Sequence, residues 1–197
     1  MDALLVVDVQ NDFCADGILR CYDTVNLIPE INSTIEFFEK KCKLIIFTKD
    51  WHSKRHCSFR GNMDEFTIQN DYPCEPHSSF EFPEHCVKDT KGAELSSLLY
   101  LPSFYSVIHK GVGDRNLGFS AFENPELSNL LMYNNVKNLM VCGLATEYCV
   151  LKTIQCAVSH NFNVISSNKL IRPVAPESKE EISALNWFRK NILFFEK

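Results

Sequence analysis

The chain of 197 residues carries 25 acidic and 20 basic side chains, a formal net charge of −5, and 45% of its residues are hydrophobic. This composition is typical of a globular protein with enough chain to bury a core, and it excludes a collagen-like or wholly disordered chain. Nucleic-acid-binding proteins normally present a strongly basic face, so no nucleic-acid partner is expected and a small or neutral ligand is favoured.

The N-terminal segment and the cysteines indicate where the protein works. The first eight residues, MDALLVVD, are apolar but too short for a signal segment or a membrane span, and they lack a basic lead-in. The nine cysteines are an odd set without a CxxC pair, so neither a disulfide framework nor a zinc ribbon is expected. We therefore expect a single domain over residues 1–197, in the cytoplasm, with reduced thiols and no membrane partner.

Apolar runs rich in β-forming residues alternate with helical patterns along the chain. Strands are predicted at residues 3–7, 44–48, 106–108, 139–142 and 163–166, with a sixth at 192–195. Helices are predicted at residues 25–40, 93–101, 125–133, 147–159 and 177–189. This alternation predicts an α/β fold, doubly wound, with a mostly parallel six-stranded sheet and helices on both faces.

Residues 51–92 interrupt this alternation. They show almost no periodic pattern, yet they carry His52, His56, His77 and His85. A structureless stretch of this length inside a compact domain usually serves a function, so we interpret it as a metal-bearing loop insertion.

Four residues follow the ends of predicted strands: Asp8, Asp50, Lys110 and Gly143. Open parallel sheets place their ligand crevice at the carboxyl ends of the strands. Each residue alone has an ordinary explanation, because an aspartate can cap a turn and a lysine can be exposed. Together they predict one shared site.

The segment KNLMVCGLATEYCV reads as a buried strand, a sharp turn and a helix start. If Thr146 is the N-cap, Cys149 lies in the first helical turn, where unpaired N–H groups and the macrodipole favour a thiolate. Its pKa should then fall below the ordinary value of about 8.5. A partly desolvated Asp8 could accept its proton, and Lys110 could stabilise the thiolate. The alternative is that Cys149 is simply a buried core residue.

The loop also offers metal ligands. Asp50 and His52 are two residues apart, which suits one face of an extended segment, and His85 arrives later in FPEHCV. Oxygen and nitrogen donors of this kind suit zinc, iron or manganese. Histidines in a polar loop are more often surface residues, and His56 and His77 are the least secure candidates.

Five segments in order carry a family resemblance: LLVVDVQNDFC, TKDWHSKRHCSF, FPEHCVKDTKGAEL, IHKGVGDRNLGFSAF and VCGLATEYCV. From residue 3 to about residue 160 the chain resembles the nicotinamidases of the isochorismatase-like cysteine hydrolase superfamily. The resemblance implies a catalytic triad of Asp8, Lys110 and Cys149, and a metal site of Asp50, His52 and His85. It also implies a cis peptide between Leu144 and Ala145, with the amides of Ala145 and Cys149 as an oxyanion hole.

The activity implied by this resemblance is metal-dependent hydrolysis of nicotinamide to nicotinate and ammonia, through a cysteine thioester, in NAD salvage. Zinc is favoured, with iron or manganese as alternatives, and a fourth ligand from His56, Ser58 or water is left open. Phe13, Trp51 and Tyr148 are candidate substrate-binding walls for the flat ring. A homo-oligomer is also left open.

Two other functions compete with this one. The first is another small-substrate hydrolase of the same superfamily, such as a metal-independent isochorismatase-like enzyme or a carbamoyl amidase. The second is a non-catalytic zinc-binding or redox-sensing protein that uses some of the nine thiols.

Overall fold

The computed structural model describes residues 1–62 and 82–196, so the predicted candidate His77 lies outside the described residues. Within these two ranges, no helix combines the length and the apolar character needed to cross a membrane.

One parallel sheet forms the centre of the fold. Its strands are β1 (Ala3–Val7), β2 (Leu44–Asp50), β3 (Ser106–Lys110), β4 (Asn138–Leu144), β5 (Asn163–Ser167), β6 (Ile171–Arg172) and β7 (Leu193–Phe195). The strand order is β3-β2-β1-β4-β5-β7, with β6 paired to β4, and the pairings are parallel. The predicted parallel sheet is confirmed, with one strand more than predicted, because the two residues of β6 are too few to form a pattern.

The helices are α1 (Thr24–Lys40), α2 (Pro125–Tyr133), α3 (Leu151–Ser159) and α4 (Lys179–Asn191). The helix predicted at 93–101 is wrong: only a short turn, Lys91–Ala93, forms at its start. Leu95 instead bridges to Gln10, and the N–H of Ser96 donates to the carbonyl of Val9. Pairing with the segment after β1 therefore overrides the helical spacing of these leucines.

Two hydrophobic layers cover the sheet, one on each face. Alternate residues of β1 point to opposite layers: Leu5 packs with residues of α2, α3 and α4, whereas Leu4 packs with residues of α1. All five residues of β1 are fully buried. Burying an aliphatic side chain of this size contributes roughly 1.5–3 kcal/mol, so β1 is the centre of the core. The prediction of helices on both faces is confirmed.

A glycine allows β4 to close against β1. Gly143 has φ +119, and a Cβ there would lie 2.0 Å from the carbonyl oxygen of Val7. Only glycine tolerates both this conformation and this approach. The ends of the two strands, and so the residues that follow them, are thereby brought side by side.

Candidate active site

A single ammonium group joins the polar side chains at the carboxyl ends of the central strands. Lys110 Nζ lies 2.8 Å from Asp8 Oδ2, 2.5 Å from Asp50 Oδ1 and 3.2 Å from Cys149 Sγ. It also donates to the carbonyl of Gly118 at 2.5 Å. Lys110 and Asp8 are fully buried, and Cys149 is 7% exposed. The structure thus brings together the three residues that the sequence predicts as a catalytic triad.

Burial dominates the proton equilibria of this cluster. It raises the pKa of Asp8 to about 6, although the Lys110 ammonium opposes the shift. Burial would lower the pKa of Lys110, but Asp50 and Asp8 raise it well above its ordinary value. At neutral pH the cluster therefore holds an ammonium beside ionised carboxylates.

Burial also raises the pKa of the Cys149 thiol well above its ordinary value, and Lys110 offsets this effect only in part. The prediction that the helix start lowers this pKa is therefore wrong, because desolvation of the thiolate is the larger effect. A thiol of this kind would need a base to become a nucleophile, and a carboxylate oxygen of Asp8 lies within 4.8 Å of the sulfur.

The turn that carries Cys149 differs from the predicted helix start. The helix begins with a π-helical turn, Thr146–Val150, and Ala145 occupies the N-cap position. The Thr146 hydroxyl is buried and has no hydrogen-bond partner among the residues described, so the prediction of Thr146 as N-cap is wrong. The Leu144–Ala145 peptide is cis, as the resemblance implies. Single π-helical turns are rare in proteins, and those that do occur are often found at functional sites.

Beside these three residues lies a group of side chains that could hold a metal ion. Asp50 Oδ2 is 3.6 Å from His52 Nε2, and one donor atom each from Asp50, His52 and His85 all lie within 4.8 Å of one another. His52 Nδ1 is 3.0 Å from the carbonyl of Gly111, and His85 Nδ1 is 2.8 Å from the carbonyl of Pro83. Each carbonyl orients its imidazole, so Nε2 of both rings is available as a donor to a cation.

This donor set fits a divalent transition metal. Two imidazole nitrogens and one carboxylate oxygen are ligands that zinc, iron and manganese accept. The two oxygens of Asp50 have different neighbours, because Oδ1 accepts from Lys110 and Oδ2 faces His52. Burial alone would raise the pKa of Asp50, but Lys110 and His52 bring it below its ordinary value, so the carboxylate is ionised.

His56 and Ser58 do not join this donor group. His56 Nδ1 lies 2.7 Å from Ser58 Oγ, and its Nε2 lies 2.6 Å from the carbonyl of Asn116. Burial lowers the pKa of His56 to about 3, so the ring is neutral and uses both nitrogens in these hydrogen bonds. Its ring packs against His52 with the centroids 3.9 Å apart. The sequence leaves His56 and Ser58 open as a fourth ligand. In the structure His56 instead packs against the ligand candidate His52, and Ser58 contacts His56.

Gln10 and Asp12, two polar residues close to Asp8 in the sequence, hold the main chain beside the candidate metal ligands. Sequence reasoning missed these roles. Gln10 Nε2 donates to the carbonyls of Asp50 and Ala93, and its Oε1 accepts from the Asp50 N–H, each at 2.8 Å. Asp12 Oδ2 accepts from the N–H of Cys86 at 2.7 Å, next to His85. Their place in DVQNDF was visible in the sequence, but their partners lie far along the chain.

A cavity is lined both by Cys149 and by the candidate metal ligands Asp50, His52 and His85. Its lining includes the predicted walls Phe13 and Tyr148, and also Phe119, which sequence reasoning missed. The rings of Phe119 and Tyr148 stack with their centroids 5.9 Å apart. The remaining described lining residues are Leu19, Phe82, Leu117, Ala145 and Val174.

Trp51, the third predicted wall, lies away from this cavity. Its ring stacks on His109 with the centroids 4.7 Å apart, and Lys49 Nζ lies 4.2 Å from its ring centroid. Because strand side chains alternate between faces, Trp51 points away from the face that Asp50 and His52 share. The prediction of Trp51 as a substrate wall is therefore wrong.

Comparison with known proteins places this fold and site in a class. The family described as Isochorismatase domain matches residues 2–181, and the chain belongs to this family. The resemblance found in the sequence is thereby confirmed.

The similar proteins include nicotinamidases. The chain is 31% identical over 176 residues to the nicotinamidase of Escherichia coli (strain K12), an alignment that covers 82% of this chain and 78% of the relative. It is 33% identical to the pyrazinamidase of Pyrococcus horikoshii in complex with zinc, with a TM-score of 0.85 and coverage of 99% and 98%. For PnC1 from L. infantum in complex with nicotinate, the identity is 25%, the TM-score 0.81 and the coverage 100% and 92%.

Proposed function

We propose that this protein is a metal-dependent amidase that hydrolyses nicotinamide to nicotinate and ammonia. The observation that carries the proposal is the shared cavity: Cys149, whose sulfur contacts Lys110, lines one small space together with Asp50, His52 and His85. The similarity to a nicotinamidase and to a structure in complex with nicotinate supports the choice of substrate.

In the first half of the reaction, Asp8 accepts the proton of the Cys149 thiol and the sulfur attacks the carboxamide carbon. Lys110, 3.2 Å from the sulfur, stabilises the thiolate. We propose that the main-chain N–H groups of Ala145 and Cys149 stabilise the negative charge that develops on the carbonyl oxygen. The C–N bond then breaks, Asp8 gives its proton to the leaving nitrogen, and ammonia departs from a thioester.

In the second half, Asp8 accepts a proton from water, and the oxygen attacks the thioester carbon. The C–S bond breaks, the thiol regains its proton from Asp8, and the product leaves as nicotinate after its carboxyl proton passes to solvent. A divalent cation held by Asp50, His52 and His85 would supply a Lewis acid that orients the pyridine nitrogen. We favour zinc, as in the Pyrococcus horikoshii complex, over iron or manganese. Phe13 and Tyr148 would pack against the ring.

The wider assignments are also proposals. We propose that residues 1–197 form one domain with a metal-bearing insertion at 51–92, and that the protein acts in the cytoplasm in NAD salvage. Its partner would be the small-molecule substrate, and self-association remains a prediction to be tested by light scattering.

The direct test of the function is release of ammonia from nicotinamide by the purified protein, with and without a chelator. We expect ammonia and nicotinate in equal amounts, loss of turnover after chelation, and recovery on addition of zinc. No turnover of nicotinamide after zinc loading would reject the proposal. Chelator-insensitive turnover of a different small amide or ester would favour another hydrolase of the family.

Removing either histidine ligand should lower metal content. We expect His52→Ala and His85→Ala each to weaken zinc binding by more than about 100-fold. This exceeds the roughly 10–100-fold loss typical when a residue that hydrogen-bonds to a ligand is removed. Both variants should also raise KM for nicotinamide. Elemental analysis after dialysis measures the bound metal. The matched control is His109→Ala, which removes the histidine stacked on Trp51 and should retain the metal. Unchanged metal in both ligand variants would show that the site is misplaced.

The pKa of Asp8 predicts the acidic side of the pH profile. Asp8 must be ionised to accept a proton, and burial raises its pKa to about 6. We therefore expect kcat/KM to fall about tenfold per pH unit below pH 6, as protonation removes the base. Bound metal measured at each pH separates this effect from loss of the cation. An Asp8→Asn variant that keeps normal turnover would contradict the role of the base.

A further inference from the structure

We propose that Glu123, in the turn Ala121–Glu123, is a positioning residue that holds the end of β3 and through it fixes the orientation of His52. The inference deepens the proposed function, because it rests on the metal site assigned to Asp50, His52 and His85. Glu123 itself lies outside the cavity lining described above. It would act through Gly111, the residue that follows Lys110.

Gly111 lies between Glu123 and His52. Its N–H donates to Glu123 Oε1, and its carbonyl oxygen lies 3.0 Å from His52 Nδ1. Because His52 Nδ1 faces a carbonyl acceptor, it carries the proton and leaves Nε2 as the donor to a cation. A shift of Gly111 would therefore release the imidazole from the orientation that a metal requires.

The packing at Gly111 leaves little room for such a shift to be absorbed. Gly111 has φ +61, and a Cβ there would lie 2.3 Å from His52 Cε1. On the other side, a Cβ on Gly118 would lie 2.5 Å from Gly111 Cα. The ring of His52 thus rests directly on the main chain of Gly111, so displacement of this backbone moves the ring.

The residue after Glu123 holds the other side of Lys110. Asn124 Nδ2 donates to the carbonyl of His109 at 2.9 Å. Asn124 Oδ1 also accepts from the N–H of Glu126, and this hydrogen bond fixes the Asn124 side chain at the start of α2. Two consecutive side chains therefore hold the main chain before and after Lys110, whose ammonium bridges the two aspartates. One turn would set the position of both the triad lysine and a metal ligand.

The test compares two loss variants with one that keeps the acceptor. Glu123→Met fills similar space and Glu123→Ala removes the side chain, and neither can accept the Gly111 N–H. Glu123→Gln retains a carbonyl oxygen that can accept it. We expect the zinc affinity, measured by competition with a chelating indicator, to fall about 10–100-fold in both loss variants and to return largely to the wild-type value in Glu123→Gln.

The electronic absorption of the cobalt(II)-substituted proteins adds a readout that a merely structural role would not move. We expect the ligand-field bands to change in the loss variants and to match the wild type in Glu123→Gln. Thermal melts of the metal-free proteins show that each variant is folded. The matched control is Glu126→Ala, which removes an exposed acid three residues further on, in the first turn of α2, and should leave affinity and spectrum unchanged.

Three outcomes would overturn the positioning role. The first is a folded Glu123→Met or Glu123→Ala variant with the zinc affinity and cobalt spectrum of the wild type. Equal damage in Glu123→Gln would also do so, because it would assign the effect to the carboxylate charge. A wild-type protein that binds neither zinc nor cobalt would remove this inference together with the metal site. Normal metal binding without hydrolysis of nicotinamide would reject the proposed reaction and leave the positioning role standing.

Discussion

Replacing Cys149 with alanine is expected to reduce ammonia release by at least about 10⁴-fold, the scale of loss seen when a covalent nucleophile is removed. The Sγ atom lies at the cavity, 3.2 Å from Lys110 Nζ, and in the proposed reaction it supplies the electron pair that forms the bond to carbon. The measurement is steady-state ammonia release from nicotinamide by zinc-loaded protein. The alanine variant should keep its fold and its metal, because Asp50, His52 and His85 are untouched.

Cys142 offers a matched control for this loss. It is fully buried on β4, close in sequence to Cys149, and belongs to the hydrophobic layer on the α1 side. Cys142→Ala should cost only stability, on the order of 1 kcal/mol for a small cavity, and should retain turnover. Normal turnover in Cys149→Ala, or an equal loss in both variants, would contradict the assignment of Cys149 as nucleophile.

Replacing Lys110 with methionine is expected to destabilise the metal-free protein by about 3–5 kcal/mol, because a buried charge loses its partner. Lys110 is fully buried, and its ammonium contacts Asp8 at 2.8 Å and Asp50 at 2.5 Å. Methionine fills similar space but leaves two carboxylates together without a cation. Chemical denaturation in the presence of a chelator measures the free energy of unfolding, and turnover should be lost as well.

The pH dependence of this variant gives a second check. Without Lys110, burial raises the pKa of Asp8 in the folded state further above its unfolded value, so the folded state binds more protons. The deficit in stability should therefore be largest at high pH and should shrink as the pH falls. Lys49→Met is the matched control: Lys49 is also buried, but its partner Glu94 is half exposed, so the ion pair contributes about 1 kcal/mol or less. Equal destabilisation in both variants would contradict the prediction.

The strands of the sheet were predictable because burial on both faces produces continuous apolar runs. β1 is the clearest case, since Leu4 and Leu5 face opposite layers and both must be apolar. β6 was missed because it pairs only through Ile171 and Arg172. The helix predicted at 93–101 failed because Ser96 hydrogen-bonds to Val9, a contact that local spacing does not reveal.

The candidate site was predictable where one rule of topology applies. Asp8 directly follows β1, and Asp50 and Lys110 end the neighbouring parallel strands β2 and β3, so their convergence follows from the order of the sheet. The pKa of Cys149 was not predictable, because it depends on how completely the folded chain excludes water from the sulfur. The place of Trp51 and the clamp of Gln10 on Asp50 likewise depend on contacts between distant segments.

The position of Asp8 directly after β1 has a mechanical consequence. β1 is buried between the two helical layers, so we expect its amide protons to exchange with solvent only through opening of the whole sheet. The proposed base is thus attached directly to a fully buried strand. A carboxylate oxygen of Asp8 lies within 4.8 Å of the Cys149 sulfur in the framework itself, so this proximity is present before any substrate arrives.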